Sequence, residues 1–352
     1  MGRAEDRIRR KLEKNPVVEC NRIRQKYCPD LFRDFAQTDD PRHLSYTDYS
    51  NRELLGTVFY KGIAGIRSMQ SMTYEFNRDA VARNLSRFMG GKERDYLPHA
   101  VTVNEYFERL DPQQLQRVQQ KQVYALIRSK TFYDARFRKK WLVIVDGTQT
   151  YSGSRKLNDG CLERRYNKDT GEEKVNYHCD VLEAKIVLGE SLVVSIGSEF
   201  IENNGEDARM QKGMGEEERK QDCETKAFKR LAGKLKEAFP RLPIILLADS
   251  LYASEPVMET CRSNGWGYII RYKAGSIPSL SQEYEAIPEK GRSGNAEYVN
   301  DIDYNGKKVN MLRFWEEKVE KGEVVRTQFQ WLTDIMLTEK NAGKVAEAGR
   351  KR

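Results

Sequence analysis

The sequence predicts an α/β protein in which a mixed sheet is flanked by helices, with a helical region before it and an antiparallel β insertion after the last core strand. Two short apolar runs, 141–146 and 244–248, suit central strands that are covered on both faces. Apolar residues recur at three- and four-residue spacing through 52–135, which indicates amphipathic helices. The Asn-Gly pair at 305–306 is a strong two-residue hairpin signal for the insertion.

The chain is expected to fall into five segments with different characters. They are a basic N-terminal segment at 1–50, whose part 30–48 reads as irregular, a helical DNA-binding or accessory region at 51–140, a catalytic core at 141–275, a β insertion at 276–333, and at 334–352 the start of a truncated C-terminal helix. Asp111 followed by Pro112 predicts a helix start within the second segment.

The core has a characteristic order of elements. After the first apolar strand, strands are expected at 175–188 and 192–201, a helix at 216–239, the strand 244–248, a helix at 254–263 and a strand at 267–272. The order is therefore β-β-β-α-β-α-β. In this order the first and fourth strands can lie side by side and parallel.

Composition excludes several classes of protein. At 352 residues and 39% hydrophobic content the chain can bury a core, and it contains no run of about 18 apolar residues that could span a membrane. The N-terminus carries no apolar secretory signal, so a cytoplasmic location is expected. Six cysteines without a C-x-x-C pair and three histidines disfavour structural zinc. A net charge of +8 is compatible with a polyanionic partner such as DNA.

The two apolar strands each end at an aspartate, Asp146 and Asp249. If the strands are parallel neighbours, these carboxylates meet at one edge of the sheet and repel each other. Mg²⁺ or Mn²⁺ removes that cost, and two ions held about 3.5–4 Å apart can activate a water or a 3′-hydroxyl at a phosphodiester. The alternative is ordinary turn or cap chemistry, because Asp-Gly and Asp-Ser are common after strands.

At this point a family resemblance becomes specific. The segments Val-Ile-Val-Asp-Gly-Thr-Gln (143–149) and Leu-Leu-Ala-Asp-Ser-Leu-Tyr (246–252) resemble the first two acidic motifs of bacterial insertion-sequence DDE transposases, in which a Tyr, here Tyr252, typically follows the second aspartate. The segments 199–203, 221–224 and 271–273 also resemble that family. The resemblance covers roughly 95–352.

The resemblance implies a ribonuclease-H-like fold and metal-dependent cleavage and transfer of DNA strands at insertion-sequence ends. It implies that Asp146 and Asp249 are catalytic and bind two Mg²⁺ or Mn²⁺ ions. A homodimer or larger synaptic complex on DNA, associated with the bacterial nucleoid, is expected. Two other functions stay open: a ribonuclease-H-like nuclease without strand transfer, and an inactive, truncated DNA-binding remnant.

The third acid of the family departs from the pattern. It should be a Glu on a helix after the β insertion, whereas Glu339 and Glu347 lie early and read as exposed. The expectation is a truncated or split reading frame that lacks this residue. In ribonuclease H proper a Glu on the helix after the third strand helps to bind metal. Asp222 and Glu224 occupy that helix here and are possible supporting ligands, with a solvated helix face as the alternative.

Basic residues near the two aspartates are expected to grip DNA phosphates. Four of them, Arg155, Lys156, Arg164 and Arg165, are expected in a polar loop after the first aspartate, and Arg271 and Lys273 lie near the second. A solvated surface would explain any one of them equally well. His178 is expected to be a packed or hydrogen-bonded strand residue.

Overall fold

A computed structural model describes residues 15–43, 45, 47–78, 80–167, 174–203, 222–273, 275–320 and 323–351. The protein is mixed α/β and divides into two compact units, Met1–Thr131 and Phe132–Arg352. No helix within the described ranges combines the length and the apolar character needed to cross a membrane.

The first unit is helical. Its helices are α1 (Pro16–Tyr27), α2 (Leu31–Ala36), α3 (Asn51–Ile63), α4 (Met69–Phe76), α5 (Val81–Met89), α6 (Ala100–Arg109) and α7 (Pro112–Arg128). As expected, Asp111 caps α7 by accepting from the backbone N–H of Gln113, and Pro112 takes the first turn. One core includes Phe32 of α2, Tyr60 of α3 and Val103 of α6.

The expectation of irregular structure over 30–48 was wrong for its first part. Phe32 and Phe35 turn into the same core as the later helices, and that burial stabilises the two-turn α2. The described part of 1–50 therefore packs with the helices that follow it, and the basic run before residue 15 lies outside the described residues.

The second unit contains a ten-stranded mixed sheet, largely antiparallel, within its described residues. Its strands are β1 (Trp141–Gly153), β2 (Leu162–Tyr166), β3 (Lys174–Val187), β4 (Val193–Ile201), β5 (Ile244–Ala248), β6 (Gly267–Tyr272), β7 (Gly291–Ser293), β8 (Ala296–Tyr304), β9 (Lys307–Glu320) and β10 (Glu323–Thr333). The strand order is β2-β3-β1-β5-β6-β10-β9-β8-β7, and β4 pairs with β3. Among the strand pairs that the described residues form, β1–β5 and β5–β6 are the parallel ones.

The helices of this unit are α8 (Glu224–Ala238), α9 (Glu255–Ser263), α10 (Pro278–Ala286) and α11 (Ala342–Gly349). With β1 and β3 to β6, α8 and α9 complete the expected β-β-β-α-β-α-β order. The first part of the helix expected over 216–239 falls outside the described residues, which resume at Asp222.

Strand β2 was not expected, because its sequence Leu-Glu-Arg-Arg-Tyr is mostly polar. It pairs antiparallel with β3, and Arg164 lies opposite Asn176. The polar loop expected after the first aspartate is therefore shorter than the sequence suggested. Arg164 and Arg165 lie on a strand, not in that loop.

The β insertion extends the sheet. Asn305 and Gly306 both have positive φ (54° and 74°), so the expected two-residue hairpin turn is confirmed. Strand β10 then pairs antiparallel with β6, which joins the insertion to the core strands. Helix α11 packs closely on this junction, since a Cβ at Gly349 would lie 2.6 Å from Trp331 Nε1.

Helices cover opposite faces of the sheet at β1. Leu142 and Ile144 belong to the core cluster that contains α11, whereas a Cβ on Gly147 would meet Glu224 of α8. Because alternate strand residues point to opposite faces, α11 and α8 lie on different sides. Strand β1 therefore carries a covered surface on each side, which explains its continuous apolar start.

Arg230 ties the start of α8 to β4. Its Nε donates to Glu199 Oε1 at 2.6 Å, and its guanidinium also bonds Asp222 Oδ2 at 2.6 Å and the carbonyl of Phe200 at 3.1 Å. Burial opposes the charge of Arg230, but the two carboxylates raise its pKa above the ordinary value. The network fixes the first turn of α8, where Glu224 lies.

Replacing Arg230 with Met removes the cation of the nearly buried Asp222, while Glu199 keeps its ion pair with Lys234. We expect the free energy of unfolding of this unit to fall by about 2–4 kcal/mol, because an uncompensated buried charge is costly. All four tryptophans lie in Phe132–Arg352, so tryptophan fluorescence in urea follows this unit alone.

The matched control for this test is Lys308→Met. Lys308 pairs with Asp303 on the surface, where the two side chains are 61% and 54% exposed, and its loss should change stability by less than about 0.5 kcal/mol. Equal urea midpoints for the two variants would show that the Arg230 network does not stabilise the unit.

Candidate active site

Asp146 and Asp249 lie at the same edge of the sheet. Strands β1 and β5 are adjacent and parallel, and their register pairs Ile144 with Leu247. Each aspartate stands two residues beyond its member of that pair, so the backbone brings the two to one level. The expectation that these strands are parallel neighbours is confirmed.

The backbone around Asp249 is fixed by a cap. Asp249 precedes a single 3₁₀ turn, Ser250–Tyr252, and its Oδ1 accepts from the backbone N–H of Leu251 at 2.8 Å. The cap chemistry considered as an alternative is therefore present, and it holds the carboxylate at the strand end. Asp146 differs, because it lies within the long β1 and stands opposite Glu183 of β3.

Glu224 is a third carboxylate near this level of β1, on the sheet face that carries α8 and opposite to the face of Leu142, Ile144 and Asp146. It is the first residue of α8, and its carboxylate lies over Gly147, where a Cβ would come within 2.6 Å of Glu224 Oε1. The hydroxyl of Tyr252 donates to Glu224 Oε2 at 2.8 Å. Tyr252 is fully buried and packs edge-on against Phe228 of α8, with ring centroids 5.7 Å apart.

Asp180 of β3 is a fourth carboxylate near the site, and sequence reasoning did not single it out. Its Oδ2 lies 3.0 Å from Nδ1 of His178, which confirms the expectation of a hydrogen-bonded strand histidine. Its buried Oδ1 meets no hydrogen-bond partner among the described residues. We call Asp146, Asp249, Glu224 and Asp180 the acidic cluster.

Electrostatic repulsion within the acidic cluster acts most clearly on Glu224. Burial raises the pKa of Glu224, the Tyr252 hydrogen bond partly opposes that rise, and the charges of Asp249, Asp146 and Asp180 add to it. Burial and the neighbouring Glu224 carboxylate raise the pKa of Tyr252 as well, so its hydroxyl stays a proton donor.

The donor set of the acidic cluster suits a hard divalent cation, because it consists of carboxylate oxygens that repel one another. Within the described ranges, however, no group of three or more His, Cys, Asp or Glu side chains is drawn close enough to hold a metal ion. The raised pKa of Glu224 is the observation that fits a cation there, since a positive charge would relieve the repulsion.

The other expected site residues are dispersed. Asp222 bonds Arg230 and the backbone N–H of Glu202, so it faces the α8–β4 network. Lys156 pairs with Asp159 at 3.5 Å. Glu339 and Glu347 are exposed, as expected.

Two of the residues expected to bind DNA phosphates, Arg271 and Lys273, lie at the end of β6. The guanidinium of Arg271 lies 4.3 Å from the ring centroid of Phe329 and 5.3 Å from that of Trp331, and the two rings are stacked. Ala248 pairs with Ile270, so Arg271 stands at the level of Asp249. Lys273 is exposed just beyond the strand.

No protein-family model matches this chain, and a search among curated proteins gives no match either. The function is therefore inferred from the residues of the acidic cluster and the elements that position them.

Replacing Gly147 with Ala should push the Glu224 carboxylate away from Tyr252. Because the displaced atoms end a flexible side chain, we expect only the loss of one hydrogen bond, about 1 kcal/mol of unfolding free energy. The effect should nearly vanish in a Tyr252→Phe background, which a double-mutant cycle in urea measures.

Gly233→Ala is the matched control, because a Cβ there meets nothing within 4 Å and the position is helical. It should stabilise the unit by about 0.5–1 kcal/mol. Full additivity of Gly147→Ala and Tyr252→Phe would contradict the contact between Gly147 and Glu224.

Proposed function

We propose that this protein is a DDE-type transposase that cleaves and transfers DNA strands in a metal-dependent reaction. The observation that carries the proposal is the placement of Asp146 and Asp249 at one level, at the ends of two adjacent parallel strands. Two carboxylates placed in this way suit metal-dependent phosphodiester chemistry, which needs neither zinc nor a nucleophilic side chain.

The proposed fold of the core is ribonuclease-H-like. Supporting it are the β-β-β-α-β-α-β order, the antiparallel pairs β1–β3 and β3–β4, and the parallel pairs β1–β5 and β5–β6. The antiparallel strands β7 to β10 follow the last core strand, where the resemblance to insertion-sequence transposases expects an insertion.

In the proposed mechanism Asp146 and Asp249 would hold two Mg²⁺ or Mn²⁺ ions, with Glu224 as a supporting carboxylate. The ions would supply charge stabilisation at the phosphate and a more acidic water. The Tyr252 hydroxyl orients Glu224, and the cap at Leu251 orients Asp249. Hydrolysis of one phosphodiester leaves a 3′-hydroxyl and a 5′-phosphate; that 3′-oxygen then attacks a target phosphodiester, whose own 3′-oxygen leaves with a proton.

DNA would lie along the edge that carries these carboxylates. Arg271, held against Phe329 and Trp331, and Lys273 would contact phosphates on one side. Arg155 and Lys156, in the segment after β1, with Arg164 and Arg165 on β2, would do so on the other. Transfer between two DNA ends would require a homodimer or a larger complex.

Asp146→Asn and Asp249→Asn should each lower nicking of supercoiled plasmid DNA at least 100-fold, since each removes a carboxylate from the metal-binding edge (about 10²–10³ for the loss of one preorganised catalytic contact). The measurement is the rate of open-circle formation by the full chain with Mg²⁺ or Mn²⁺. Asp159→Asn, at a 94% exposed side chain, is the control and should nick normally. Normal nicking by Asp146→Asn would refute the assignment.

The same assay separates the alternative functions when a second, labelled DNA is added. Joined products indicate a transposase, and nicking without joining indicates a nuclease. DNA binding with a steep salt dependence and no cleavage indicates an inactive remnant.

The third carboxylate can be tested separately. Glu224→Gln should lower nicking about 100-fold, because the amide keeps an oxygen for Tyr252 but loses the negative charge (10–1,000-fold covers supporting and direct contacts). Glu339→Gln and Glu347→Gln should leave the rate within about two-fold of the parent, because both residues are exposed. The reverse pattern would show that α11, and not α8, carries the third acid.

A further inference from the structure

Two cysteines face each other beside the acidic cluster. Strands β2 and β3 pair antiparallel with Leu162 opposite His178, and one step further along this register sets Cys161 opposite Cys179. Their Sγ atoms are 3.2 Å apart. A disulfide needs about 2.05 Å, so a side-chain movement of roughly 1 Å would join them.

The backbones on both sides of this pair are held by hydrogen bonds. Thr150 Oγ1 donates to the carbonyl of Cys179 at 2.8 Å, and Asn203 Nδ2 donates to the carbonyl of Cys161 at 3.2 Å. Asn158 Oδ1 accepts from the backbone N–H of Gly160 at 2.9 Å and from the Cys161 thiol at 3.7 Å. The short distance between the sulfurs is therefore set by anchored chain segments.

The surroundings of the Cys161 thiol favour its ionised form. Burial opposes ionisation of Cys161, yet hydrogen bonds from the backbone at Asn158 and Leu157, the Cys179 thiol and the charge of Lys156 hold its pKa below the ordinary value. Cys161 is thus the thiolate of the pair.

We propose that Cys161 and Cys179 form a reversible disulfide when the protein meets a peroxide-class oxidant. The Cys161 thiolate attacks one peroxide oxygen, the O–O bond breaks, and a sulfenic acid and hydroxide form. The Cys179 sulfur then attacks the sulfenic sulfur; the S–S bond forms, the S–O bond breaks, and hydroxide leaves. Two thiols and one hydrogen peroxide give one disulfide and two waters, and the thiols lose two electrons.

The disulfide would lock β2 and the segment that carries Arg155 and Lys156 onto β3, next to Asp180 of the acidic cluster. The consequence for DNA rests on the proposed function, because it requires those residues to contact DNA. The oxidation itself does not, since it depends only on the sulfur geometry.

The test uses the full chain, fully reduced and then treated with graded hydrogen peroxide. Thiols are alkylated under denaturing conditions, and peptides are mapped by mass spectrometry. We expect loss of the Cys161 and Cys179 thiols together, a linked peptide lighter by two hydrogens, and full reversal by dithiothreitol. Cys161 and Cys261 are both buried, but burial raises the pKa of Cys261 to about 12, so Cys261 should stay reduced.

Cys161→Ser and Cys179→Ser are the matched controls, and neither should give the linked peptide. Oxidised wild type should unfold in urea about 1 M later than oxidised Cys179→Ser, because the bond constrains the unfolded chain. Both thiols staying alkylatable while the exposed Cys223 oxidises would overturn the proposal, as would a linkage from either one to Cys223. These outcomes do not depend on DNA nicking, so failure of either proposal is visible without the other.

Discussion

The parallel pairing of β1 with β5 is the constraint on which the site depends. It sets Asp146 and Asp249 at one level through backbone register alone, so no side-chain interaction is needed to bring them there. Strand β3, antiparallel to β1, adds Asp180, and the N-terminus of α8 adds Glu224. If that pairing slipped by one residue, the side chain of one aspartate would point to the other face of the sheet.

The carboxylates of this arrangement repel one another, and ion pairs and a hydrogen bond next to the site hold the elements that carry them. Arg230 neutralises Asp222 and Glu199 and anchors the first turn of α8, so Glu224 is carried to the edge by a structure with its own favourable ion pairs. Tyr252 then stabilises the Glu224 carboxylate with one hydrogen bond. Placing like charges close together lowers the stability of the fold, and such an arrangement is typical of functional sites.

Sequence patterns predicted what local chemistry determines. The run 244–248 is apolar at every position, which predicts a strand buried on both faces. Asn305 and Gly306 both favour positive φ, which predicts a tight turn. Strand β2 was missed because it is polar and mostly exposed and is held by its pairing with β3. Helix α2 was missed because it is short and is stabilised by the burial of Phe32 and Phe35. The sequence could not separate Asp222 from Glu224, because they stand two residues apart at one helix start. The structure distinguishes them, because it is the Glu224 carboxylate that occupies the space above Gly147.

Gly147 also resolves the two interpretations of the first motif. Asp-Gly after an apolar run predicts a turn, but β1 continues through Gly147 to Gly153. A glycine suits this position because the Glu224 carboxylate occupies the space that a Cβ would take. At Asp249 the cap and the site are compatible, since one oxygen caps the 3₁₀ turn and the cap holds the carboxyl group at the strand end. The cap chemistry of Asp249 therefore contributes to the acidic cluster and does not compete with it.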